Sequence, residues 1–232
     1  KLDERDVRRA VAQAKALGIE AVGICFLHAY REPAHENEAR RIVEEAWPEA
    51  EVVVSHEVWS QQSEYERAVV TLLNAFVKKR MGDYIGEIED YMAARLPRGR
   101  LFITRSNGGI MSAAEARRFP VHTLLSGPAA GVTASVTLGE LTGVKDVLTM
   151  DMGGTSTDLS LIHDGLPIVS HDAEVGDFPL MMPVTGIEAI GAGGGSIARI
   201  SKAGILQVGP DSAGANPGPI CYGRGGTEPT VT

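Results

Sequence analysis

The chain has 232 residues, 44% of them apolar and 22% charged, enough to bury a core in one large domain or two smaller ones. Its formal net charge of −8 argues against a basic nucleic-acid surface. No apolar run reaches the ~20 residues a bilayer span needs, and no secretory leader is present, so the expectation is a cytoplasmic protein with neither nucleic-acid nor membrane partners. Cys25 and Cys221 lie far apart outside any C-x-x-C, which supports neither a zinc site nor a disulfide framework. A start at Lys1 and an end in P-T-V-T read as an internal piece of a longer protein.

In chain order, Val7, Ala10, Val11, Ala14 and Leu17 recur at helical spacing, and Gly18 stops them, which predicts an amphipathic helix over 3–17. The apolar run 19–27 predicts a strand covered on both faces. A helix at about 35–46 and a strand at Val52–Val54 follow, an order that predicts βαβ winding and a parallel sheet. Tyr65, Val69, Leu72, Phe76, Tyr84, Ile88 and Met92 predict one buried face of a long helix over 63–95, with a bend at Gly82 or Gly86. The E-Y-E-R run at 64–67 reads as its solvated start. A short strand at 101–104 precedes S-N-G-G-I-M (106–111), which is either a structural turn or a loop approaching a ligand. Ser126-Gly127-Pro128 opens a small-residue helix to about Leu141, with Ser126 read as its cap. After Gly143 the texture changes to strands at 146–151, 157–162 and 166–170, and then to a glycine- and proline-rich stretch. The lobe boundary is expected near Gly143.

Between the first two of these strands stands D-M-G-G-T-S-T-D (151–158), with two carboxylates, two glycines and three hydroxyls. One reading is an ordinary glycine hairpin whose Asp and Thr side chains make local turn bonds. The other is a phosphate clamp. Amides at Gly153 and Gly154, with Thr155 and Thr157, suit phosphate oxygens, while Asp151 and Asp158 suit a magnesium ion that keeps most of its waters.

Further on, Gly193, Gly194, Gly195 and Ser196 follow a strand expected over 187–190. They read as a phosphate or substrate loop facing the hairpin, or as a close backbone crossing. A dinucleotide-binding reading fails, because too few residues follow for a crossover helix. The stretch 208–226 has too much glycine and proline for regular structure, and Asp211, Ser212 and Asn216 are candidate site residues in it. His171-Asp172 and Glu174 are weaker metal candidates, and a surface role suits them better. No G-x-x-x-x-G-K-[ST] occurs, which excludes a P-loop nucleotide site.

The hairpin and the small-residue helix before it resemble the second phosphate-binding hairpin of the actin, Hsp70 and sugar-kinase superfamily. More narrowly, the chain is similar to the hydantoinase A/5-oxoprolinase family. The stretches that carry this are S-H-E-V (55–58), E-Y-E-R (64–67), S-N-G-G-I-M, S-G-P-A-A-G-V (126–132), the hairpin, I-G-A-G-G-G-S-I-A (190–198) and 208–226. The resemblance implies an incomplete actin/Hsp70-like (ribonuclease H-like) two-lobed α/β fold, with 1–143 the later part of the first lobe and 144–232 the start of the second. It implies ATP and Mg²⁺ as cofactors, and ATP-dependent opening of a small cyclic amide such as a hydantoin or 5-oxoproline. It also implies a hydantoinase B-type partner subunit and an oligomeric full-length protein. Two alternatives are the ATP-binding subunit of an acetone-type ketone carboxylase and an Hsp70-like ATP-binding switch without small-molecule chemistry. Family members carry another D-x-G-G-T hairpin, absent before residue 150 here, so the piece alone is expected to be inactive. Gly186 and Glu188 stand where many relatives have Asp and His. No catalytic residue is assigned.

Overall fold

The computed structural model describes residues 1–171 and 173–232. In order the elements are α1 (Glu4–Ala16), β1 (Ala21–Ile24), α2 (Ala34–Ala46), β2 (Glu51–Val54), α3 (Ser55–Val58), α4 (Glu64–Arg95), β3 (Phe102–Thr104), β4 (Ile110–Ser112) and α5 (Ala113–Arg118). A 3₁₀ turn (Pro120–Thr123) leads to α6 (Ser126–Thr142), β5 (Val147–Met152) and β6 (Thr157–His163). The short strands β7 (Leu166–Pro167), β8 (Val169–Ser170), β9 (Ala173–Val175), β10 (Phe178–Leu180), β11 (Val184–Thr185) and β12 (Glu188–Ile190) follow, and then β13 (Ser196–Ile200) and β14 (Leu206–Ser212). Among the described residues no helix is long and apolar enough to cross a membrane.

Two compact units result, one of residues 1–126 with 171–184, the other of 127–170 with 185–232. The division falls before α6, not at the Gly143 that the change in composition suggests. Helix α6 turns back on the strand that follows it: Val144 N donates to Gly139 O at 3.0 Å, and a Cβ on Gly139 would lie 2.6 Å from Val144 O.

The first unit is layered. Strands β1 and β2 pair in parallel, Ala21 with Glu51 through Ile24 with Val54, and α2 is the crossover. Alternation along the strands sends Ile24 and Val54 toward Val11 of α1 and Ala39 and Val43 of α2. It sends Val53 the other way, into a cluster with Val70 and Ala75 of α4, Val121, Leu180, Met182 and Val184. Gly23 faces α4 so closely that a Cβ would sit 3.1 Å from Leu72 Cδ2.

Helix α4 runs unbroken through Gly82 and Gly86. Val69 of the predicted face is buried, but Tyr65, Leu72, Phe76 and Tyr84 are exposed, and Arg67, Val70, Thr71 and Asn74 are buried instead. The buried polar side chains there are hydrogen-bonded, although among the described residues Arg67 Nε has no partner. The Arg67 guanidinium donates to the carbonyls of Gln61 at 2.9 Å and Phe26 at 2.6 Å. Asn74 donates to Arg118 O at 3.3 Å and accepts from Val121 N at 3.2 Å.

The S-H-E-V stretch has a similar structural role. Fully buried Glu36 accepts from Phe26 N at 2.9 Å, Ser55 Oγ at 2.6 Å and His56 N at 3.0 Å, and lies 2.7 Å from His56 Nδ1. It thereby closes the turns after both strands. Burial alone pushes its pKa up, but the hydrogen bonds from Ser55, His56 and Phe26 outweigh that and hold it below the usual carboxylate range.

Candidate functional site

In the second unit β5 and β6 pair antiparallel with Asp151 opposite Asp158 and Met152 opposite Thr157. Gly153 to Ser156 form the turn, closed by Gly153 N donating to Ser156 O at 2.9 Å. Residues directly opposite share a sheet face, so both carboxylates project from the same side of the hairpin tip. Val147, Thr149, Ser160 and Ile162 line the same face further from the tip. β12 continues the sheet on the other side of β6, placing Ala189 opposite Asp158.

Two like charges opposed across a ladder repel, by a few tenths to about 1 kcal/mol. Among the described residues neither Asp151 nor Asp158 makes an ion pair or a side-chain hydrogen bond. Both border a cleft floored by Thr149 and Ser160 and walled by Pro128, Gly131 and Ser135 of α6. Gly131 has nothing within 4 Å of where a Cβ would stand, so the small-residue helix leaves room there. The pair fits a hydrated divalent cation, which takes one or two protein carboxylates and completes its shell with water and ligand oxygens. A closed all-protein metal cage is a different matter: among the described residues no group of three or more His, Cys, Asp or Glu is arranged for one.

Among the described residues, the turn amides of Gly154 and Thr155 have no hydrogen-bond acceptor within the protein, and both residues are exposed. Thr157 differs. The residue is buried and its hydroxyl donates to Ala192 O at 2.6 Å, which clasps the next loop.

The second glycine loop is a close backbone crossing. Gly194 N donates to Gly153 O at 2.9 Å and Gly195 N to Gly154 O at 2.7 Å, while Gly193 N donates to Ser196 Oγ at 2.9 Å. A Cβ on Gly193 would stand 2.6 Å from Thr155 N and 2.7 Å from Gly153 O. The Gly194 and Gly195 amides therefore brace the turn, and that of Gly193 is taken by buried Ser196 within the loop. The contact is reinforced by Thr232 N donating to Gly194 O at 3.0 Å. Counting glycines could not separate these outcomes, since a phosphate loop and a backbone crossing need the same small residue.

Other candidates are placed as follows. Asp211 pairs with Arg199 at 2.6 Å, and Ser212 Oγ accepts from Gly214 N at 3.2 Å. The start of the stretch 208–226, expected to be irregular, belongs to the strand Leu206–Ser212, which pairs with Ser196–Ile200. Gly186 is fixed by donating its N–H to Ile168 O at 2.7 Å and by accepting from Ser160 Oγ at 2.6 Å; Glu188 and Glu174 are exposed. His171 is exposed, and its candidate partner Asp172 lies outside the described residues. The S-N-G-G loop, read mainly as a turn, also borders a cavity with His122, a residue that no sequence motif singled out.

Against known proteins, the profile described as "Hydantoinase/oxoprolinase" matches residues 67–232, and that described as "Hydantoinase/oxoprolinase N-terminal region" matches residues 1–47. The caprolactamase subunit alpha of Pseudomonas jessenii is 41% identical over 234 residues, covering 100% of this chain and 33% of that protein. The acetophenone carboxylase gamma subunit of Aromatoleum aromaticum is 36% identical over 245 residues, covering 100% of this chain and 32% of that protein. The crystal structure of the ATP-dependent caprolactamase from Pseudomonas jessenii superposes with a TM-score of 0.84 at 39% identity, covering 100% of this chain and 34% of that one. The chain thus spans about a third of the length of these relatives. With 166 of its residues under the main profile and collinear likeness along its full length, the chain belongs to the hydantoinase/oxoprolinase family.

Proposed function

We propose that this chain supplies the aspartate-bearing half of a Mg·ATP site in an ATP-dependent cyclic-amide hydrolase of actin/Hsp70-like, two-lobed architecture. The observation that carries the reading is the opposed Asp151–Asp158 pair, which meets no cation among the described residues and stands beside unpaired turn amides. In this reading the two carboxylates hold a hydrated Mg²⁺, and the amides of Gly154 and Thr155 with the Thr155 hydroxyl donate to phosphate oxygens. Pro128 in the first turn of α6 borders the same cleft, where the helix dipole favours negative charge. Bound magnesium would supply charge neutralisation for phosphoryl transfer. Gly193, Gly194, Gly195 and Ser196 set the position of the turn and do not touch the nucleotide.

The substrate class follows the relatives: a lactam, hydantoin or 5-oxoproline ring whose carbonyl oxygen is activated by ATP before water attacks. Because the two proteins compared by sequence carry subunit names, the whole protein is proposed to act in an oligomer with a hydantoinase B-type partner, and this piece alone is proposed to be inactive. The likeness to a carboxylase gamma subunit keeps a second reading, ATP-dependent carboxylation of a ketone.

The test is phosphate release from Mg·ATP by the full-length protein with its partner, offered caprolactam, hydantoins, 5-oxoproline, or a ketone with bicarbonate. Turnover with a ring amide supports the first reading, and turnover only with ketone and bicarbonate selects the second. Release with neither would leave an ATP-driven switch. Groups that only orient a metal's ligands contribute about 10–100-fold, so Asp151→Ala, which removes a direct ligand, is expected to weaken Mg·ATP binding by about 100-fold or more. Unchanged affinity in a folded variant would return the hairpin to a plain turn.

A further inference from the structure

The first unit contains a cavity of about 120 Å³ bordered by Arg105, Asn107 and His122 on one side and by Leu180, Met182 and Val184 on the other. Its polar wall is rigidly built. Ser106 N donates to His122 O at 2.7 Å, and Ser106 Oγ lies within hydrogen-bonding distance of the carbonyls of His122 and Leu124. The turn is closed by Arg105 N donating to Gly109 O at 2.8 Å. Gly109 N donates to Asn107 Oδ1 at 3.1 Å, so the Asn107 amide NH₂ remains as a donor. Buried Asn74 of α4 holds the 3₁₀ turn that carries His122.

The charge balance of this wall is unusual. Arg105 pairs among the described residues only with Glu115, at 3.8 Å, too far for a hydrogen bond. Its Nε is buried and, among the described residues, has no hydrogen-bond partner. Arg105 thus borders the cavity with no charge-assisted hydrogen bond among the described residues, and a ligand carboxylate would supply one to its guanidinium. Burial and then the Arg105 charge push His122 down to about 4, against a smaller opposing influence of Glu115. The ring is therefore neutral near pH 7, and the wall carries one positive charge with several N–H donors.

We infer that this cavity binds a short carboxylate, with Arg105 countering its charge, Asn107 and His122 donating to its oxygens, and Leu180, Met182 and Val184 receiving its alkyl end. A cavity of about 150 Å³ accepts benzene, so the space here suits a ligand of about five non-hydrogen atoms. The inference does not rest on the nucleotide reading, since none of these residues belongs to the hairpin.

The experiment is calorimetric titration of the full-length protein with acetate and propionate, with acetamide as the neutral isostere and N-acetylglycine as the carboxylate end of a larger molecule. Saturable binding of a carboxylate is expected, with acetamide at least tenfold weaker. Arg105→Gln is expected to weaken binding at least tenfold. Asn107→Asp keeps the acceptor for Gly109 N but sets a negative charge at the mouth, and it is expected to weaken binding as much. It decides the matter alone if Arg105→Gln does not fold. Absence of carboxylate binding, equal binding of acetamide, or affinity unchanged in the folded variants would each overturn the assignment. Mg·ATP binding, measured in parallel, is expected to be the same in both variants.

Discussion

At the scale of single residues, His122 and Asp151 each predict a measurement. His122 is held down to about 4 from an ordinary 6.5 by burial and by Arg105, with Glu115 opposing and the Phe119 ring packed edge-on. Between those two values the unfolded chain binds a proton that the folded protein does not, so stability rises with pH through this window. Lowering the pH from 6.5 to 4 is expected to remove on the order of 1 kcal/mol once solvent screening of this partly exposed ring is allowed for, a loss that His122→Gln should reduce in urea titrations. Asp151 stands opposite Asp158 in a ladder where like charges repel. In the absence of divalent cations Asp151→Ala is therefore expected to raise stability by about 0.5 kcal/mol, while nucleotide binding is lost. That inverse movement separates a ligand residue from a structural one, and thermal unfolding with and without Mg²⁺ reads it. These carboxylates were legible in the sequence, because a strand ending on Asp and resuming on Asp after two glycines has few structural uses. Arg105 and His122 were not, because their partnership joins a hairpin loop to a 3₁₀ turn and neither lies in a periodic element.

Among elements, helix α4 and the second glycine loop show where pattern reading succeeds and fails. The extent of α4 was clear from its length and periodicity. Its buried face was misassigned because Arg67, Thr71 and Asn74 occupy it, and hydrophobic spacing cannot find a polar face satisfied by loop carbonyls. Leu206–Ser212 is hidden for a different reason: Gly209 and Pro210 interrupt the ladder between its paired positions, Leu206 to Val208 and Ser212. The glycine loop yields a sharper prediction. Gly193→Ala must push a methyl against Thr155 N and Gly153 O, and is expected to cost about 1–3 kcal/mol and to weaken Mg·ATP binding by displacing the turn. Gly191→Ala, two residues earlier with nothing within 4 Å of its Cβ position, should be silent in both measurements. Equal effects of the two variants would remove the bracing role of the loop.

For the molecule as a whole, the order of elements in sequence is not their order in the two units. The segment 171–184 follows the β5–β6 hairpin in the chain, yet Leu180, Met182 and Val184 complete the cluster built on Val53, Val58 and Val70. Removing several buried side chains of this size costs about 2–5 kcal/mol each, which together exceeds the stability of an ordinary domain. A piece ending at Arg118 or Gly143 is thus expected to show no cooperative unfolding transition, whereas 1–184 retains the complete cluster. Circular dichroism of the two pieces under urea makes the comparison. The same interleaving bears on how the protein is made. Synthesis proceeds from the amino end, and most chains settle one domain before the next emerges. Here the first unit must wait, with Val53 and Val70 uncovered, until Val184 has left the ribosome, so the two units finish folding nearly together and the hairpin emerges before the unit that precedes it is closed.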